Sequence, residues 1–133
     1  MTAMLALQGA VFAALSAHAG LTALIGPDRV FDDVPADTRP PYIRFDAFTA
    51  ADWNTATEEG AEHEFSLELW SAHDGRKQLG EIASAAREAI AGISGIAGHA
   101  LINLEHLETR FARDAASDLF RGAMRFRAVS EPL

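Results

Sequence analysis

Three prolines within seven positions, Pro35, Pro40 and Pro41, constrain this chain more than any other feature. Proline fixes its own φ, offers no backbone donor, and pushes the residue before it out of the helical region. Neither a helix nor a central strand can run through such a segment. The apolar residues flanking it must therefore belong to separate short elements. Val30, Phe31 and Val34 predict a short strand or edge segment, followed by a proline-locked loop. A second strand is predicted over residues 42–48, with Ile43 and Phe45 on one face and Tyr42, Arg44 and Asp46 on the other.

The remainder of the chain shows clear periods. Residues 62–70 alternate most cleanly, with Phe65, Leu67 and Leu69 against Glu64, Ser66 and Glu68, the period-two pattern of a half-buried strand. Two more strands are expected over 101–107 and 119–129, joined by a charged linker over 109–118. In the last strand Phe120, Met124 and Phe126 face inward, opposite Arg121, Arg125 and Arg127. Helical spacing appears twice. Residues 2–17 place Met4, Leu7, Val11 and Leu15 on one face with Phe12 beside them. Ala6, Ala10, Ala13 and Ala17 line the other side, a small-residue surface that permits close approach. Thr2 suits the N-cap and Gly20 a stop, and residues 21–25 allow one further turn before Gly26-Pro27. Asp74-Gly75 turns the chain into a second helix over 76–91, with Leu79, Ile82, Ala83, Ala86 and Ile90 as its stripe and Gly92 and Gly95 at its end. Residues 49–61, acidic around Trp53, read as a long loop. The order of helix, strands, helix and strands predicts a single α+β domain. Its expected architecture is an antiparallel β-sheet of about four to five strands with two main helices packed on one face.

Composition narrows the function. A chain of 133 residues without cysteine has no disulfide, thiolate nucleophile or Cys-based zinc site, which agrees with a reducing cytoplasm. The net charge of −8 is uneven: residues 1–27 carry none, residues 28–74 hold 12 acids against 3 bases, and residues 75–133 hold 7 acids against 8 bases. A duplex-binding module needs a basic face, and no such face is apparent. The apolar start lacks a preceding Lys or Arg, and Gln8, Gly9 and His18 interrupt it. It reads as an amphipathic helix rather than a leader or a membrane span.

Candidate chemistry is sparse. His63 and Glu64 point to opposite faces of a strand, and His99 and His106, seven apart, are expected to do the same, so neither pair predicts a metal site. The acidic cluster of Glu58, Glu59, Glu62 and Glu64 lacks the glycine punctuation of a calcium loop and reads as a solvated loop. No phosphate-binding glycine loop or nucleophile elbow is present. The sequence predicts no catalytic, cofactor or metal residues. Contact, not reaction, is the expected work. Tyr42, Trp53 and Trp70 are candidate interface anchors, with core packing an equal alternative for Trp70. Arg121, Arg125 and Arg127 form a candidate interface or solvated face.

Taken in order, these features resemble a known family. The motifs are the apolar first helix, Arg29-Val30-Phe31-Asp32-Asp33-Val34-Pro35, Pro41-Tyr42-Ile43, Phe65-Ser66-Leu67-Glu68-Leu69-Trp70-Ser71, Gly75 before a helix, and Arg121-Gly122-Ala123-Met124-Arg125-Phe126-Arg127. They resemble the tail-completion, or tail-terminator, family of long-tailed phages and gene transfer agents, also called head-to-tail joining proteins. The resemblance spans residues 1–133 as a single tail-terminator-like domain. It implies a virion structural protein, assembled in the bacterial cytoplasm, that forms a ring, typically a hexamer, at the head-proximal end of the tail tube. Such a ring stops tube polymerisation and meets the major tail tube protein on one side. On the other side it meets a head-neck connector, the stopper or adaptor. DNA passes through its lumen without sequence-specific binding, and no membrane or cofactor is involved. Glu58, Glu59 and Glu62 are candidate lumen or loop acids on this reading. Rival readings are another neck component, a small cellular protein-binding module, and a small hydrolase or metal-dependent enzyme.

Overall fold

The computed structural model describes residues 2–52, 60–72 and 75–133. In chain order the elements are α1 (Ala3–Ala17), α2 (Ala19–Ile25), β1 (Val30–Phe31), β2 (Tyr42–Asp52), β3 (Ala61–Trp70), α3 (Gly75–Ala91), β4 (His99–Arg113) and β5 (Phe120–Pro132). The five strands form one sheet in the order β1-β2-β3-β5-β4. It is antiparallel throughout except that β1 runs parallel to β2. The α+β class and the predominantly antiparallel sheet are as the sequence predicts. The sheet is mixed, and the helices number three among the described residues.

Local chemistry explains the helix boundaries. The Thr2 side chain accepts from the Leu5 backbone N–H at 3.2 Å, satisfying a donor that the first turn of α1 leaves unpaired. The expected stop at Gly20 is not where α1 ends. His18 ends it, and its Nδ1 accepts from the Leu21 N–H at 3.0 Å, so the same residue caps α2. Gly20 lies inside α2, which closes at Gly26. No single described helix is long and apolar enough to cross a membrane; α1 and α2 pass that test only together, and they are bent by 75° at their junction.

The proline loop is held from within. Arg29 donates from Nε to the Pro41 carbonyl at 3.2 Å and also reaches the Arg39 carbonyl. The Ile43 N–H returns to the Arg29 carbonyl at 3.0 Å, which seats β1 beside β2. Val34 falls outside β1, and the Pro40–Pro41 peptide bond is cis.

Strands run further than alternation indicated. β2 continues to Asp52 and β3 begins at Ala61, so residues 49–52 are strand and not loop. Ala50 and Ala51 have weak strand propensity, and the pairing with His63 and Glu62 decides their state. β4 likewise consumes the first half of the expected linker, extending to Arg113. Its pattern was obscured by one-residue bulges at Ile102 and Leu107, each of which resets the alternation. The Ile102 bulge also corrects the histidine placement. His99 and His106 stand opposite Pro132 and Phe126 on one face, the helix-facing one, instead of on two.

That face carries the core. α1 buries Ala6, Leu7, Val11 and Leu15, and α3 buries the predicted stripe with Ala89 added. They close over Ile43, Phe45, Phe65, Leu67, Leu69, Met124 and Phe126. An aromatic row crosses the sheet, with Phe48 stacked on Phe65 and Phe65 on Phe126 at centroid distances of 5.1 Å each. Beneath Phe111 the chain needs Gly122. A Cβ there would stand 3.2 Å from the Phe111 ring and 3.4 Å from Leu69 Cβ.

Candidate assembly surface

The helix-free face of the sheet gathers most of the residues singled out from sequence. Strand alternation puts Glu62, Glu64 and Glu68 of β3 there, beside Arg121, Arg125 and Arg127 of β5 and Glu105 and Glu108 of β4. The acids and bases lie in neighbouring rows, so each arginine meets carboxylates across the ladder. Arg127 donates from Nε to Glu62 Oε1 at 2.8 Å and approaches Glu105 at 3.6 Å. Arg125 lies 3.7 Å from Glu64 and 3.6 Å from Glu108. Arg121 stands 3.6 Å from Glu68.

Glu68 is the hub of this lattice. Its side chain is only 11% exposed. One carboxylate oxygen accepts from Trp70 Nε1 at 2.6 Å and from Arg44 Nε at 3.3 Å; the other accepts from Arg44 Nη2 at 3.0 Å. Arg44 also reaches Asp46 at 3.2 Å, and Ser66 Oγ donates to the same carboxylate at 3.2 Å. Tyr42 pairs with Trp70 across β2 and β3, with ring centroids 6.4 Å apart, and Phe31 closes on Tyr42 edge-on at 5.9 Å. The aromatic corner shields the Glu68 carboxylate on one side. Sequence reasoning marked the arginines and the aromatics but overlooked Glu68 and Arg44. The only available signal was their shared position on the outward face of adjacent strands.

The electrostatics follow from these contacts. The Arg127 hydrogen bond, and then its charge, hold the Glu62 carboxyl below its ordinary range. The Arg127 and Arg44 guanidinium groups are pushed up, chiefly by hydrogen bonds to Glu62 and Glu68 respectively. Burial, aided by Glu68, raises the Tyr42 phenol. Each of these arginines lies within 4 Å of a carboxylate, so the face offers little uncompensated positive charge to a phosphate backbone.

Trp53, Glu58 and Glu59 lie outside the described residues. Glu62 is on the lattice, and Tyr42 and Trp70 sit together at one corner of it. Among the described residues no group of three or more His, Asp or Glu side chains could hold a metal ion. One Ser–His contact invites comparison with a hydrolase. His63 Nε2 lies 2.9 Å from Ser130 Oγ beside a hollow of ≈ 360 Å³ lined by Asp52, His99 and Ser130. Yet His63 is 0% exposed and Ser130 1%, and His63 Nδ1 has no hydrogen-bond partner among the described residues. Among the described residues no carboxylate orients the imidazole, so the triad logic is incomplete. The pair packs the end of the core.

Comparison with known proteins agrees with this geometry. The profile of the family described as "Tail completion protein gp17" matches residues 9–131. A chain of the solved structure described as "Virion of native gene transfer agent (GTA) particle" superimposes with a TM-score of 0.86 at 30% sequence identity. The likeness covers 98% of this chain and 99% of that one. None of the curated proteins compared matches.

Proposed function

The chain belongs to the tail completion protein gp17 family, and from that premise we propose that it forms a ring at the head-proximal end of a phage-like tail tube. It is a structural protein of a phage-like tail or neck and not an enzyme. The ring, a hexamer on this reading, ends polymerisation of the tube and joins the tail to a head-neck connector. The observation that carries the proposal is the end-to-end likeness to a chain of a gene transfer agent virion, at 30% identity over nearly the whole of both chains. Identical subunits close into a ring when two unlike surfaces mate by a rotation that divides a full turn. The two ends of the sheet, β4 at one and β1 with β2 at the other, are unlike in this sense.

Assembly tests the reading directly. Particles made without this chain are expected to carry tails of uncontrolled length or to leave tails detached from filled heads in electron micrographs. Correctly sized tails firmly joined to heads would overturn it. The pure protein should run as a six-fold species by size exclusion with light scattering, or as a monomer that caps purified tubes.

Glu58, Glu59 and Glu62 are proposed to face the lumen, where like charge keeps passing DNA from adhering. Replacing Glu58 and Glu59 together by Lys should slow DNA delivery by assembled particles. Unchanged delivery places those acids elsewhere.

A further inference from the structure

Both ends of the sheet lack a partner strand among the described residues. At one end β4 pairs with β5 and, apart from the bridge of His99 to Ile96, with no other strand among the described residues; its 15 residues include neither Pro nor Lys. At the other, β1 covers only Ile43 and Arg44 of β2. Residues 47–52 therefore have β3 on one side and no strand on the other. A free edge presents a row of unpaired backbone donors and acceptors, and proteins guard such edges with Lys, Pro, short strands or bulges. β4 does bulge, at Ile102 and Leu107. Those residues are apolar and 52% and 39% exposed, so the bulges offer contact surface where a guard would offer charge.

We propose that β4 of one copy pairs with residues 47–52 of β2 in the next copy, so that the sheet continues from subunit to subunit. The proposal rests on the ring reading above and names the joint that closes it. Strand direction supports it. β2, β3, β5 and β4 alternate antiparallel, so β4 runs opposite to β2 in the same chain. A rotation that relates neighbours around a ring does not reverse their strands relative to the axis. The next copy's β2 then lies antiparallel to β4, and the alternation carries across the joint unbroken.

The side chains at the two edges are also complementary. Ala47, Thr49, Ala50 and Ala51 are small and exposed, which leaves room for Ile102 and Leu107. On the charged face, Arg110 with 77% of its side chain exposed stands at one edge and Asp46 with 48% exposed at the other. Pairing β4 with β4 about a two-fold axis would instead set apolar bulges against each other and close a dimer.

The absence of cysteine makes the test clean. The full chain carrying both Ala50→Cys and Ile102→Cys is treated with a short bis-maleimide, beside each single variant, and read on denaturing gels and by native mass spectrometry. The double variant is expected to give a covalent ladder ending at the ring, while each single variant stays uncrosslinked. A ring seen by native mass without a ladder overturns this joint and leaves the ring reading standing. Dimers from Ile102→Cys alone establish the two-fold contact and also overturn it. Absence of any ring defeats the ring reading and the joint with it. Both substituted side chains are exposed, so the fold should tolerate them; Thr49→Cys with Asn103→Cys, in the same register, provides a second pair if it does not.

Discussion

Glu62, Glu64 and Glu68 alternate along one strand, yet their side chains are 38%, 53% and 11% exposed. Sequence alternation assigns all three to the outward face and cannot rank them. The ranking comes from Tyr42 and Trp70, which a distant segment and the strand's own end bring beside Glu68. Removing a sheltered carboxylate strands its partners, whereas removing an exposed one returns its partners to water. Glu68→Ala is expected to lose about 1–3 kcal/mol by urea unfolding, because Arg44 and the Trp70 indole lose their acceptor. Glu64→Ala should stay within about 1 kcal/mol of the parent. Equal losses at the two positions would contradict the hub assigned to Glu68.

At the scale of elements, α1 shows the same limit. Both of its sides are apolar in sequence, and periodicity offered Met4, Leu7, Val11 and Leu15 as the inner face with Phe12 beside it. The structure buries Leu7, Val11 and Leu15 and leaves Leu5 and Phe12 at 57% and 46% exposure. Leu7→Ala, which opens a cavity in the core, should cost roughly 2–5 kcal/mol in thermal or urea unfolding. Phe12→Ser should cost less than about 1 kcal/mol in the same measurement. A large loss at Phe12 in the isolated chain would mean that the outer side of α1 is already covered. The hidden reach of β4 has a different cause. Two bulges broke its period, and the turn after it depends on Asp114, which takes both the Ser117 N–H and hydroxyl at 2.9 and 2.6 Å.

For the molecule as a whole, buried His63 and half-buried His106 tie stability to pH. Burial, with His99 adding to it, lowers the His63 pKa below its ordinary value of 6.5. Burial and Arg87 lower His106 in the same direction. A histidine whose folded pKa is depressed binds protons more readily when unfolded. Its contribution is therefore intact above about pH 6.5 and is lost as pH falls from there toward the folded value. Unfolding measured from pH 7.5 downward should show stability dropping below about pH 6.5, with a shallower slope in His63→Gln. An unchanged slope would remove His63 as a source of the effect. Sequence alone determined the α+β class, the proline-locked loop, the helix stripe of α3, the alternation of β3 and the outward row of arginines. Those features depend on residues a few positions apart, where local sterics and period decide. The bulges in β4, the shelter around Glu68 and the two open sheet edges were decided by tertiary structure. Each depends on which distant segment lies alongside, and periodicity within one segment carries no record of its neighbour.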